Sequence, residues 1–167
     1  RLVGSEMCIR DRFMRQAGRS LPEYRKAREG IAMLDACLMP DLTAEITLQP
    51  VRRHGVDAAI FFSDIVVPLK LAGMDVEIKP GVGPVFAQPV HTRKDLDRIP
   101  DLTADMCEPI SRAATLTREG LPADTALIGF AGAPFTVASY LIEGGPSKNH
   151  EKTKAMMLGD PELFSAI

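Results

Sequence analysis

The chain is poor in the pairings that build metal centres and disulfide frameworks. Its three cysteines, Cys8, Cys37 and Cys107, lie far apart with no C-x-x-C pair. That excludes a thiolate zinc site and a disulfide scaffold, and fits a reducing cytosol. His54, His91 and His150 are equally scattered, with no H-E-x-x-H or comparable spacing to hold a metal. No apolar run approaches the ~20 residues that a membrane span requires, because "KLAGMDVEIKPGVG" and "GFAGAPFTVASYLIEGG" are interrupted by glycine, proline or charge. Positive charge is not in excess either: 20 Lys+Arg against 22 Asp+Glu leave a formal net charge of −2. A general nucleic-acid binder needs a basic face, so such a partner is not expected.

What is present suits a globular domain. With 167 residues, 46% hydrophobic and 25% charged, the chain can build one core. The eight methionines read as core filler. "PEYRKAREG" is expected to be a short helix, with Pro22 at its first position and Gly30 ending it. A second helix should cover "DLTAEITLQPVRRHG", capped by Asp41, kinked at Pro50 and closed by Gly55. "VDAAIFFSD" is a nearly continuous apolar run that reads as a parallel strand buried on both faces. "VEIKPGVGPVFAQPV" alternates and is punctuated by Gly and Pro, which predicts a hairpin or edge structure outside the main sheet. A short helix at "RKDLDRI" and a longer one from about Asp105 to Glu119, stopped by Gly120, follow. "TALIGFAGAPFTVASYLIEGG" then repeats the pattern: a buried strand, a small-residue turn, and a helix that starts at Pro134 and ends at Gly144 and Gly145.

Strand, helix, strand, helix is the order of β-α-β units around a parallel sheet. About two complete units, plus the end of an earlier strand at "FM", make too narrow a sheet to cover its own faces and edges. The expected fold is therefore α/β, as the first part of a (β/α)8 TIM barrel, with a doubly wound open sheet as the alternative. "PELFSAI" breaks off a few residues into an apolar helix pattern, as a truncated chain would. "RLVGSEMCIRDR", residues 1–12, holds no regular period and no signal-peptide core, and is expected to be a non-native leader ahead of a single domain over 13–167.

Asp64 follows "AIFFS" directly and so falls at the carboxyl end of a buried parallel strand, the end at which such sheets bind ligands. Position alone leaves two readings level: a ligand-facing carboxylate, or the cap of a following turn. Arg15 and Arg19 belong to "RQAGRSLPEYR", a basic patch in an otherwise acidic chain. Guanidinium forks bind carboxylate or phosphate, while a generic charge run is more often a solvated surface. "GFAGAPF" lacks both G-x-G-x-x-G and a G-K-[ST] ending, so close strand-to-helix packing is its better reading than a phosphate cradle. Tyr140 could bring its hydroxyl to a pocket or fill the core with its ring.

"FMRQAGRSLPEYR", "EITLQPVRRHGVDAAIFFSDIVVPL", "PGVGPVF" and "LIGFAGAPFTVASYLIEGG" together resemble the uroporphyrinogen decarboxylase family, from about Phe13 to the end and in the family's order. The resemblance implies the N-terminal part of a cofactor-free, metal-free (β/α)8 barrel, cytoplasmic and homodimeric at full length. It implies decarboxylation of the four acetate arms of uroporphyrinogen III to give coproporphyrinogen III. By motif, Arg15, Gln16, Ala17, Gly18 and Arg19 match the family's substrate-binding arm, Asp64 the aspartate of "FSD", and Tyr140 the tyrosine of "YxxEGG".

The substrate bears eight carboxylates around four pyrrole N–H groups. The resemblance thus assigns Arg15 and Arg19 to its acidic rim and Asp64 to its centre, with Arg15 also the family's proton donor. That last role is chemically awkward for a guanidinium, and a relayed proton stays open. Ser20 stands where many relatives carry tyrosine, and Phe135 where others carry tryptophan; both changes spare the charged groups. The family's later substrate-binding serine and histidine have no counterpart before Ile167. Two alternatives are a corrinoid-linked methyltransferase of the same superfamily and an inactive anion-binding fragment. The 167-residue chain alone is expected to be inactive.

Overall fold

The structure is a computed structural model and describes residues 19–167. These fall into two compact units: the residues up to Asp64 with Cys107–Ala131, and Ile65–Met106 with Gly132–Ile167. The expected strand end at "FM" and residues 1–12 lie outside the described residues.

In the first unit, α1 (Pro22–Ala27) starts at its proline as expected, and Gly30, at φ +73°, closes the turn beyond it. A short helix α2 (Met33–Cys37) leads into α3 (Pro40–His54), the longest element of this unit. The expected cap of α3 is corrected. Its N-cap is Met39, with no side-chain cap bond, and Asp41 sits inside the first turn. Pro40 has no N–H to satisfy and a preset φ, so it takes the first helical position and moves Asp41 inward, where a carboxylate still suits the helix dipole. The helix continues through Pro50 and ends at Gly55, which is left-handed at φ 59°.

Strand β1 (Ala58–Ile60) pairs in parallel with β4 (Ala126–Ile128), Ala58 opposite Ala126 and Ile60 opposite Ile128. The parallel pairing is as expected. Burial on both faces is not, because β4 is exposed at Ala126 and Ile128 and β1 is fully buried only at Ala59. Among the described residues β4 pairs with β1 alone. Burial deepens past the ladder instead, at Phe61, Phe62 and Ser63.

The core of this unit gathers Leu48, Val51, Val56, Ala59 and Leu121, with Leu127 against them. It is closed by α6 (Glu108–Gly120), entered through a 3-10 turn at Asp105–Cys107 and packed along α3. Gly120 is the last residue of that helix rather than a stop beyond it. A Cβ there would lie 2.6 Å from Leu48 Cδ1, so the glycine serves close helix approach.

The second unit holds α4 (Val67–Leu71), the antiparallel hairpin of β2 (Val76–Lys79) and β3 (Gly83–Phe86), and α5 (Arg93–Leu96), which begins with a Thr92–Asp95 capping box. The hairpin forms its own sheet, as expected. Helices α7 (Pro134–Glu143), α8 (Glu151–Gly159) and α9 (Pro161–Ala166) complete the unit. Gly132 bears out the packing reading of "GFAGAPF". A Cβ at this position would lie 2.5 Å from Val137 Cγ2 and 2.9 Å from Ile65 Cβ. An atom rooted at Cβ cannot swing away, so Gly132→Ala is expected to cost about 1–3 kcal/mol by overpacking, read as a lower urea midpoint. Gly120→Ala meets only the mobile end of Leu48 and should cost less.

Candidate active site

Asp64 is placed by a change of hydrogen-bonding partner at the end of β1. The ladder's last bond runs from the Phe61 N–H to the Ile128 carbonyl, 2.9 Å. The next amide, that of Phe62, donates to Thr47 Oγ1 at 2.9 Å, and the Thr47 hydroxyl donates to the Thr43 carbonyl at 2.7 Å. Thr43 in turn donates to the Ala36 carbonyl at 2.8 Å. Both threonines are buried, Thr43 fully. Buried amides require partners, and this relay carries the strand past its ladder while keeping it fixed to α3. Ser63 is buried and Asp64, next along, is half-buried. The carboxylate therefore emerges from a rigid, apolar strand end.

The basic patch divides. Arg28 is internal: its Nη1 donates to the Tyr24 hydroxyl at 2.9 Å, its Nη2 to the Ile31 carbonyl at 2.9 Å, and its guanidinium lies 5.6 Å from the Tyr24 ring centre. Tyr24 packs edge-on against Phe62, with centroids 6.1 Å apart. That arginine braces the strand leading to Asp64. Arg25 and Lys26 are exposed, in keeping with a solvated surface, and Arg53 pairs with Glu23 at 3.3 Å. Arg19 is exposed at a helical position just before Leu21. Arg15, Gln16, Ala17 and Gly18 lie outside the described residues.

Tyr140 belongs to the second unit, whereas Asp64 and Arg19 belong to the first. It is half-buried on α7 and lines a cavity of about 260 Å³ with Phe135, Thr136, Ser139, Ser147 and His150. The end of α7 is unusually well held. Its terminal carbonyls, orphaned in any helix, accept from the Gly144 N–H at Tyr140, from Val90 at Leu141 and from Phe86 at Gly144, at 2.9–3.1 Å. His91 Nε2 lies 2.9 Å from the Ile142 carbonyl. Gly144 is left-handed at φ 82° and lies against Pro89. The "EGG" terminus thus docks on the hairpin and fixes the turn that carries Tyr140.

Glu143 supplies what α8 lacks at its own start. The N-cap, His150, makes no side-chain cap bond; instead Glu143 Oε1 accepts from both the N–H and the hydroxyl of Thr153, each at 2.9 Å. Burial, the largest single influence, pushes the Glu143 carboxyl up. The Thr153 bonds and the nearby Lys152 outweigh it, so the net shift is below the ordinary value. A depressed folded pKa means that the ionised form contributes stability above the unfolded value of about 4.3, and that this is lost as pH falls through the lower folded value. Glu143→Gln keeps an acceptor but not the charge, and is therefore expected to cost about 1 kcal/mol at neutral pH, the difference between a charged and a neutral hydrogen bond. The gap from the parent should close in acid, which chemical denaturation at several pH values would show.

Thr47, Thr43 and Glu143 were not singled out from the sequence. The i, i+4 threonines on the apolar face of a helix were the available signal for the first pair, and the acid at the end of "YLIEGG" for Glu143. Among the described residues no group of three or more His, Cys, Asp and Glu is placed to hold a metal, and no helix is long and apolar enough to cross a membrane.

Parallel pairing and flanking helices define an α/β protein, with the Asp64 carboxylate at the carboxyl end of one of its strands. The fold resembles a methyltransferase from Methanosarcina mazei, with a TM-score of 0.61 at 19% identity, over 84% of this chain and 42% of that one. The uroporphyrinogen decarboxylase (URO-D) family matches residues 12–167, and the chain belongs to that family. It is 69% identical over 155 residues to uroporphyrinogen decarboxylase of Streptomyces griseus, 67% to that of Streptomyces coelicolor and 64% to that of Corynebacterium efficiens. Each alignment takes in 93% of this chain but only 42–43% of the relative, so the chain spans less than half the length of these curated relatives.

Proposed function

We propose that residues 13–167 are the N-terminal part of a single (β/α)8 barrel that decarboxylates the four acetate arms of uroporphyrinogen III to give coproporphyrinogen III, and that residues 1–12 are a foreign leader. The observation that carries this reading is 64–69% identity to three uroporphyrinogen decarboxylases across 155 residues. The corrinoid-linked methyltransferase is not favoured, because the methyltransferase likeness is one of fold at 19% identity. The full-length protein is read as a cytoplasmic homodimer acting on a free tetrapyrrole, with no cofactor, nucleic acid or membrane partner.

The chemistry follows from the substrate. A pyrrole carbon beside the acetate arm takes a proton, and the ring becomes a cation. The bond between methylene and carboxylate then breaks, its electrons flow into the ring, and carbon dioxide leaves. The methylene takes a proton to become methyl, and the ring returns the first one, so one proton is consumed per carbon dioxide released. A fixed carboxylate facing the pyrrole N–H groups stabilises the cation more than a mobile, solvated one could. Asp64, held by the Thr47 relay at a strand end, is assigned that role. Arg15 through Arg19 grip the acidic rim, with Arg15 at the proton-delivery position, and Tyr140 is a further substrate-binding residue.

The test is incubation of the full-length polypeptide with uroporphyrinogen III under reducing conditions, followed by product mass and metal content. Stepwise loss of four carboxyl groups without bound zinc is expected. No loss of carbon dioxide, or activity dependent on zinc and a corrinoid, would refute the reading.

A further inference from the structure

Thr47 is a polar residue in an apolar setting: Ala44, Ile46, Leu48 and Val51 of the same helix are buried with it. Its bond to the Thr43 carbonyl four residues back, at 2.7 Å, brings the helix no gain, because that carbonyl already belongs to the helical ladder. The acceptor side of the hydroxyl is the side that matters, where Oγ1 takes the Phe62 amide at 2.9 Å. Both bonds have a fixed direction, since an amide can only donate and the hydroxyl's single proton is given to Thr43. The ladder provides the Phe62 amide with no partner. Among the described residues β4 is the only strand beside β1, and its Ile128 carbonyl accepts from Phe61.

Phe62 is gripped a second time, through its ring. Tyr24 meets it edge-on at 6.1 Å and 72°. Arg28 secures that tyrosine by its hydroxyl, and its Nη1 also lies 3.0 Å from Met33 Sδ. The backbone of Phe62 is thus held from α3 and its side chain from α1, two positions before Asp64. A carboxylate stabilises a developing cation only from a fixed place, and a displacement of about 1 Å can cost about a hundredfold in rate. We propose that Thr47 is a positioning residue of the decarboxylation: by accepting from the Phe62 amide it sets where the Asp64 carboxylate lies. At 3% exposure Thr47 itself is closed to the substrate. The inference rests on the role proposed for Asp64 and deepens it, by naming the group through which α3 controls the rate.

Three variants of the full-length polypeptide isolate the hydroxyl oxygen. Thr47→Val removes it and keeps the shape; Thr47→Ala removes it with no branch to repack, and takes the place of the valine variant if that one does not fold. Thr47→Ser keeps it. Steady-state turnover of uroporphyrinogen is measured for each, alone and combined with Asp64→Asn. Loss of the oxygen is expected to lower kcat about tenfold to a hundredfold, with KM within about threefold of the parent. The serine variant should keep kcat within about threefold of the parent, as the retained acceptor requires. In the Asp64→Asn background the loss should shrink to about threefold or less, because no charge is left to misplace. A shortage of folded protein would instead lower both backgrounds by the same factor. Parental kcat without the oxygen overturns the inference alone, as does a serine variant as slow as the alanine one, or an equal fall in both backgrounds. Parental kcat in Asp64→Asn itself removes Asp64 from the mechanism and the role of Thr47 with it. A parent that releases no carbon dioxide overturns the functional reading as a whole.

Discussion

Asp64→Asn is expected to leave the fold intact and to slow decarboxylation by about three orders of magnitude. The substitution is isosteric and the side chain is only half-buried, so packing is spared. What is lost is a charge facing a developing cation. At about 4 Å and an effective dielectric near 20, such a pair is worth about 4 kcal/mol, and each ~1.36 kcal/mol is a factor of ten in rate. The loss should fall on kcat more than on KM, since the ring carries its charge in the transition state and not in the bound substrate. A variant with parental kcat, measured by carbon dioxide release at saturating substrate, would remove Asp64 from the mechanism.

Arg15→Ala is the second large effect expected, a fall in kcat/KM of about 30-fold to 5,000-fold. Truncating one partner of a desolvated charge pair costs about 2–5 kcal/mol, and the substrate's carboxylates supply the other partner. Arg15→Lys separates the two roles assigned to this residue. A lysine keeps the charge but loses the planar fork, and it is also the stronger acid, with a reference pKa of about 10.4. If Arg15 chiefly binds the rim, the lysine variant should show a raised KM and a nearly parental kcat. If it delivers the proton, kcat should change and the pH profile should shift with the new acid. Equal kcat/KM in parent and alanine variant would remove Arg15 from both roles.

The elements whose backbone chemistry is written in single residues were legible in the sequence. Pro22 and Pro134 start helices, Gly55 and Gly144 end them in left-handed turns, and the Gly/Pro-punctuated stretch around residue 80 forms its own hairpin. Positions where two such signals compete were misread. Asp41 is a good cap in isolation, but Pro40 beside it is a better helix start. Gly120 looks like a stop, yet it answers to Leu48 on a neighbouring helix, a contact no local pattern reveals. The strand at residue 58 was placed correctly, but its burial depends on how many strands lie beside it, and β4 is half-exposed for want of a second neighbour among the described residues.

The site divides in the same way. Asp64 was found because a carboxylate at the end of an apolar strand stands out in one dimension. Thr47 was not, since its partner, the Phe62 amide, is 15 residues away. The family resemblance supplied the role of each motif residue, and the strand-end geometry supplies the physical reason for one of them, Asp64.

The central claim is that the Asp64 carboxylate accepts from the pyrrole N–H groups at the centre of the macrocycle. A crystal structure of the full-length polypeptide with coproporphyrinogen bound tests it directly. Pyrrole nitrogens within hydrogen-bonding distance of the Asp64 oxygens, about 2.7–3.2 Å, are the predicted result. A macrocycle bound elsewhere, or one whose nitrogens face another acceptor while Asp64 caps a turn, would contradict it.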